Sequence, residues 1–264
     1  MLRQYHAVPL AVEAHTSHTR RVAVFGESPQ PLYLRVYRIV ADQIASGTLG
    51  PGDRLPAERA LCEQLGVSRA TVRRALVELV EDGLVESSVG RGSFVSSGPL
   101  VEPPNALLSL TELGSRRGLV ATARVLATEI HPATLEESEV FGIAPGADLF
   151  HLERLRMLDD VPVAVDASRV PLARAPHLVD VDFTTASLYA TLTDAGAPPA
   201  RAGYTVEALP ATGPEAALLS IEVGAPVLVT LTTAYDPADR VVELCRTVYR
   251  GDRYRFRATL ARRR

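Results

Sequence analysis

The run ERALCEQLGVSRATVRRALVELVEDGLVESSVGRGSF, Glu58 to Phe94, decides how the first part of the chain folds. Val72, Ala75, Leu76 and Leu79 recur at steps of three and four, the period of one apolar helical stripe, and Ser68 stands where an N-cap belongs. A shorter helical pattern precedes it from Pro56 to Leu65, with Glu58 and Arg59 in its first turn, and Gly66 joins the two. Beyond them, Leu84 to Ser88 and Ser93 to Ser97 read as two short strands around Val89-Gly90-Arg91-Gly92, an arginine flanked by glycines at a hairpin tip. Two helices, a tight joint and a hairpin make a winged helix-turn-helix.

The stripe is the core face of the second helix. Arg69 and Arg73 share another face, with Thr71 and Arg74 on its flanks. Cationic forks and a hydroxyl at a helix start suit the major groove, where arginine is the commonest bidentate reader of guanine. Arg59 could reach a phosphate or a base, and Arg91 at the wing tip suits an adjacent minor groove. Four arginines near one helix start can also be a solvated face, and the wing alone can be a plain surface hairpin. Their combination favours DNA.

Composition sets the surroundings. The chain has 264 residues, 47% of them hydrophobic, enough for two domains with separate cores. Net charge is only −3, and residues 29–97 hold eight arginines against eight acids, so attraction to nucleic acid must be local. From Arg59 to Arg74 there are four arginines and one acid, Glu63. All 28 basic residues are arginine, which we read as genome composition. Two distant cysteines, Cys62 and Cys245, exclude a disulfide framework or zinc cluster. No apolar run approaches the roughly 18 residues that span a bilayer and no secretory pattern opens the chain, so a cytoplasmic protein is expected. His6, His15 and His18 lack the spacing of a metal site; residues 1–28 read as a disordered extension.

The run from Pro31 to Val95 resembles the DNA-binding domain of the GntR family of bacterial transcription regulators, end to end. The matching positions are Leu55-Pro56-Ala57-Glu58-Arg59, the Ser68 to Arg73 core and the Gly90-Arg91-Gly92 wing. The resemblance implies double-stranded DNA as partner. Together with the reading above, it makes Arg59, Ser68, Arg69, Thr71, Arg73, Arg74, Gly90, Arg91 and Gly92 the candidate DNA-binding residues.

After residues 29–97, the winged domain, the SSGPLVEPPN stretch (96–105) interrupts both periodicities with three prolines and a glycine, and we place a linker at 98–106. Residues 107–264 then alternate strand-like and helix-like runs. We expect strands at Thr122 to His131, Leu149 to Leu158, Val161 to Val170 and near Ala202 to Leu209, with three closing strands from Val227 to Leu260. Helices are expected at Thr134 to Phe141, Ser187 to Ala195 and Pro214 to Ser220. This is an α+β domain around a mixed, largely antiparallel sheet with helices.

Arg154 and Arg156 lie two apart on a strand and project from one face. A three-residue loop at Asp159-Asp160-Val161 would set Arg156 opposite Ala164 and Arg154 opposite Asp166. Two guanidinium groups suit a dianionic phosphate, and Asp166 could accept hydrogen bonds from ligand hydroxyls. The alternative is an exposed strand face with a cross-strand salt bridge. Glu243, Cys245, Thr247 and Tyr249 share one face of the penultimate strand, before the turn YRGDRY. Ser187 and Tyr189 sit at a helix start, which favours an anion.

Through SLTELGSRRG, HLERLRMLDDVPVAVDASRVP, SLYATL and ELCRTVYRGDRYRF, residues from about Leu107 to Leu260 resemble the UTRA ligand-binding domain of the HutC-like branch of the same family. The resemblance implies that Arg154, Arg156, Ser187, Tyr189 and the amides near Leu110 and Thr111 hold a phosphate, while Asp166, Glu243 and Tyr249 face a sugar. The chain departs from the pattern with Asp166 where glutamate is expected. No nucleophile elbow, phosphate-cradling glycine loop or metal-ligand spacing supports an enzyme on a sugar phosphate, so no catalytic residue, metal or cofactor is expected. An architectural DNA protein without a ligand is the other rival. The expectation is a homodimeric repressor on a palindromic operator, released by a small anionic metabolite, either a phosphorylated amino sugar or a non-phosphorylated acid, with the linker as hinge and no membrane partner.

Overall fold

A computed structural model describes residues 30–88, 91–102 and 106–258. They group into two compact units: one holds the residues up to 102 with Ser115–Leu119 and the chain from Arg257, the other holds 106–114 and 120–256.

In the first unit α1 (Leu32–Ala45), α2 (Glu58–Leu65) and α3 (Arg69–Glu81) precede a hairpin of β1 (Val85–Ser88) and β2 (Gly92–Val95). Each helix contributes one stripe to a single core: Val36, Val40 and Ile44 from α1, Leu61 and Leu65 from α2, and Val72, Ala75, Leu76 and Leu79 from α3. Truncating a fully buried leucine there, Leu61→Ala for instance, removes about 2–5 kcal/mol. Gly66 ends α2 in the left-handed region, φ 66°, which turns the chain sharply enough for Ser68 to cap α3 two residues later. The Tyr37 hydroxyl donates to Asp82, tying α1 to the C-terminus of α3. Residues 52–55 add a third strand-like edge to the wing, through Leu55 N–H to Ser93 O at 2.9 Å and Val95 N–H to Asp53 O at 2.8 Å. Pro56 precedes α2 rather than opening it, and the wing strands are shorter than expected.

The stretch expected as linker contains a two-residue strand, β3 (Leu100–Val101), and α4 (Leu110–Arg116) follows. The second unit is built on one six-stranded antiparallel sheet in the order β4-β5-β6-β9-β8-β7. Its strands are β4 (Ala121–Pro132), β5 (Asp148–Leu158), β6 (Val161–Pro171), β7 (Arg201–Pro210), β8 (Pro226–Tyr235) and β9 (Val241–Arg250). Between them lie α5 (Leu135–Phe141), α6 (Leu188–Asp194) and α7 (Gly213–Leu219). The last expected strand is only the two residues of β10 (Tyr254–Arg255).

Strand alternation gives the sheet two faces. Leu155, Val165, Val229 and Val248 face α7, packing on Ala216 and Leu219. On the other face Phe150, Leu152 and Val170 pack against Phe183, Leu188 and Leu192 of the α6 region. Farther along β5 this second face changes from apolar to charged at Arg154 and Arg156. Among the described residues no helix is long and apolar enough to cross a membrane.

Candidate functional site

The first candidate surface is the outward side of α3 with the wing. Arg69, Arg73, Arg74 and Arg91 are exposed, and Thr71 is half-buried. Ser68 acts as the cap: its Oγ accepts the Thr71 amide at 3.2 Å and lies 2.8 Å from Thr71 Oγ1, so both hydroxyls are engaged with each other. Arg73 Nε reaches Glu58 at 3.1 Å and Arg59 Nε reaches Glu63 at 3.5 Å, both pairs largely in solvent. Arg74 turns back over the Tyr33 ring of α1, 4.0 Å from its centroid. Arg69 makes no ion pair among the described residues. Gly92 is exposed at the wing; Gly90 and the histidines at 6, 15 and 18 lie outside the described residues. Exposed pairs of this kind contribute under about 1 kcal/mol, so these guanidinium groups can exchange their carboxylates for phosphates at little cost.

The second candidate site is the charged face of the sheet. Arg154 and Asp166 face each other across β5 and β6, and Arg156 faces Ala164. The connection is not the expected three-residue loop. Asp159 and Asp160, at φ 48° and 62°, make a two-residue turn, and a bulge between Arg156 and Met157 leaves Val163 as the extra residue. Turn and bulge together restore the pairing that a three-residue loop alone would have set.

Asp166 binds both arginines: Arg154 donates from Nε and Nη2 at 2.9 Å each, and Arg156 from Nη1 at 3.2 Å. The cross-strand salt bridge is real but buried, with side-chain exposures of 3%, 7% and 9% for Arg154, Arg156 and Asp166. Asp166, expected to face ligand hydroxyls, accepts three hydrogen bonds from these two guanidinium groups. Arg156 Nη2 also donates to Thr111 Oγ1 at 3.0 Å, which draws α4 to the site. Leu110 and Thr111 lie in the first turn of that helix, where backbone N–H groups have no intrahelical acceptor. Among the described residues Arg154 Nη1 and Arg156 Nε are buried without an acceptor.

Beside them lie Glu243, Cys245, Thr247 and Tyr249 of β9. Ser168, which sequence reasoning missed although it stands two residues after Asp166 on the same face, donates to Glu243 Oε1 at 2.7 Å. Burial raises the Glu243 pKa above the ordinary carboxylate value, against the hydrogen bonds of Ser168 and Tyr189. Burial likewise pushes the Cys245 thiol up to about 12 and raises Tyr189. Burial, then the neighbouring Arg154 charge, lowers Arg156. Ser187 caps α6, its Oγ accepting the Ala190 amide at 3.4 Å, and Tyr249 stacks on Tyr254 with ring centroids 3.8 Å apart. Thr230 and Thr232 on β8 are further buried polar groups of this face that their threonine-rich strand did not distinguish. Among the described residues no cluster of His, Cys, Asp or Glu suits a metal, and both cysteines are free.

A winged helix-turn-helix followed by a sheet domain with a buried polar face defines a ligand-responsive DNA-binding regulator. Residues 32–95 match the family model for bacterial regulatory proteins of the gntR family, and residues 116–255 match the UTRA domain. The repressor NagR of Bacillus subtilis (strain 168) is 35% identical over 231 residues, 87% of this chain and 95% of that protein. The histidine utilization repressor of Pseudomonas putida is 33% identical, over 89% of this chain and 94% of its own. The crystal structure of PhnF from Mycobacterium smegmatis aligns with a TM-score of 0.59 at 33% identity, covering 86% of this chain and 100% of that one. The chain belongs to the GntR family, in its HutC-type branch with a UTRA domain, and is a transcriptional repressor rather than an enzyme.

Proposed function

We propose that this repressor binds a palindromic operator in the cytoplasm as a homodimer and releases it when a small anionic metabolite enters the charged face of the sheet. The carrying observation is the pair of buried guanidinium groups with unspent donors, Arg154 Nη1 and Arg156 Nε. A buried donor without a partner costs about 1–3 kcal/mol, which an anionic oxygen at that place recovers. Thr111, Ser187 and the amides of Leu110 and Thr111 supply further groups for that anion. Tyr189, Glu243 and Tyr249 offer hydrogen-bonding partners to a polyol. A phosphorylated amino sugar fits this division into an anion-binding half and a hydroxyl-binding half. On the DNA side Arg59, Arg69, Thr71, Arg73, Arg74 and the Gly90 to Gly92 wing make the contacts, with Ser68 setting the helix start. A two-fold protein matches a two-fold operator, and one module alone buries little surface.

One feature favours a second ligand class. Within the triad of Arg154, Arg156 and Asp166, two guanidinium charges against one carboxylate leave a single positive charge. A monoanion balances that charge, whereas a dianionic phosphate leaves one negative charge in excess. A non-phosphorylated acid is therefore the competing effector. A thermal-shift screen of hexosamine phosphates, hexose phosphates and small carboxylic acids, paired with operator release, separates the two. The effector is expected to raise the unfolding temperature, displace the DNA and lose both effects in Arg154→Ala. Release that survives in Arg154→Ala would remove this site from the mechanism.

A further inference from the structure

Arg54 lies outside the arginine face of α3, and neither the GntR nor the UTRA motifs quoted above single it out. It is exposed, and it makes no ion pair with any described residue. Its place in the wing follows from cross-strand pairing. Arg54 bridges to Phe94, Glu86 pairs with Phe94, and Ser88 pairs with Gly92. Partners across antiparallel strands share a face, so Arg54, Phe94, Gly92, Glu86 and Ser88 lie on one side of the wing. Leu55, Val85 and Val95 are buried in the core on the other.

Gly92 determines where the Arg54 guanidinium rests. A Cβ on Gly92 would meet Arg54 Nε and Nη2 at 3.4 Å and Cζ at 3.8 Å, so the planar head lies across this residue, whose φ is +97°. The arginine therefore reaches diagonally along the wing toward its tip. There it lines an open groove of about 530 Å³ together with Ser87, Ser88 and Arg91. The carboxylate of Glu86 also borders this groove, but its Oε1 accepts the Ser96 hydroxyl at 2.8 Å. The guanidinium groups of Arg54 and Arg91 with the Ser88 hydroxyl make a surface for an anionic oxygen, while the Ser87 hydroxyl lies on the opposite face, 2.8 Å from Ser93 Oγ. The open, solvent-exposed shape suits a polymer backbone lying along it better than a small anion that needs enclosure.

We propose that Arg54 is a further DNA-contacting residue of this repressor: seated across Gly92, it holds a phosphodiester of the operator backbone beside the wing. The role is to position the duplex, since a phosphate carries no base identity. Arg54 adds a charge contact on the wing side of the interface, separate from the arginines of α3.

The test uses the full chain, with Arg54→Gln and Arg54→Lys beside the parent protein. Two duplexes serve as probes: a short mixed-sequence duplex, and a duplex that the parent protein enriches from a random library. Arg54→Gln is expected to weaken both by the same factor, roughly five- to tenfold at 0.1 M monovalent salt, and to make log Kd less steep in log salt by about one unit per bound chain. Arg54→Lys is expected to keep most of the slope, because it keeps the charge. An unaltered affinity and slope in Arg54→Gln would overturn the proposal. A loss confined to one base pair would overturn it in favour of base reading. A lowered unfolding temperature with the slope unchanged would reduce Arg54 to a support of the wing.

Discussion

The arginines of α3 and those of β5 are the same side chain put to opposite uses. Arg73 holds Glu58 with its own side chain 73% exposed, whereas Arg154 holds Asp166 at 3% exposure. In water the pair is worth little, and either member can leave it for a phosphate without much loss. In the sheet both guanidinium groups have given up their hydration, so the carboxylate between them is needed for the native state. The exposed set can bind and release a polyanion reversibly. In the mechanism proposed above, the buried set responds to a small anion because each of its donors must be accounted for.

The comparison breaks most visibly at Asp166. Asp166→Ala is expected to cost about 3–5 kcal/mol, since it leaves two buried guanidinium groups without a counter-charge; urea unfolding measures it. A loss under 1 kcal/mol would mean that water reaches this face as freely as it reaches α3. Glu243 provides the next test, through pH. Burial raises its pKa in the folded protein above 4.5, so the native state keeps a proton that the unfolded chain releases. Its favourable contribution is complete below the ordinary carboxylate value and declines as pH rises toward the folded pKa. The stability of the parent protein relative to Glu243→Gln should therefore fall as pH rises above 4.5; a constant difference would contradict the burial argument. The smallest effect is expected on the exposed side. Glu58→Ala removes the partner of Arg73 and should change stability by less than about 1 kcal/mol, while tightening DNA binding by removing a negative charge near the phosphates. Weaker DNA binding in Glu58→Ala would show that the pair orients Arg73.

The helix-turn-helix was legible because its signals are local. The apolar stripe of α3, the Ser68 cap and the Gly66 joint lie within a few residues of the groups they organise, and all appear where the spacing put them. Less legible were the partners that those exposed side chains take up. The position of Arg74 over Tyr33 depends on how α1 crosses α3, which no periodicity states. In the sheet, Arg154 opposite Asp166 was anticipated through a different turn. The two-residue turn alone would pair Leu158 with Val161 and continue to Arg154 opposite Val165, sending Asp166 to the other face. The bulge at Val163 shifts the register by one and returns Asp166 to the arginine side. Ser168 was missed because a serine two residues beyond an aspartate has no distinguishing sign until β9 brings Glu243 beside it.

By itself the sequence determined the two-part architecture, the helix-turn-helix and the candidate charges on β5, because helix period, strand alternation and capping act over a few residues. Only the tertiary structure decided that Asp166 binds both Arg154 and Arg156 and that two of their donors find no acceptor among the described residues. It also decided that Arg54 lies across Gly92. These outcomes depend on register, burial and contact between segments distant in the chain, and desolvation becomes an energetic fact only after those segments have packed.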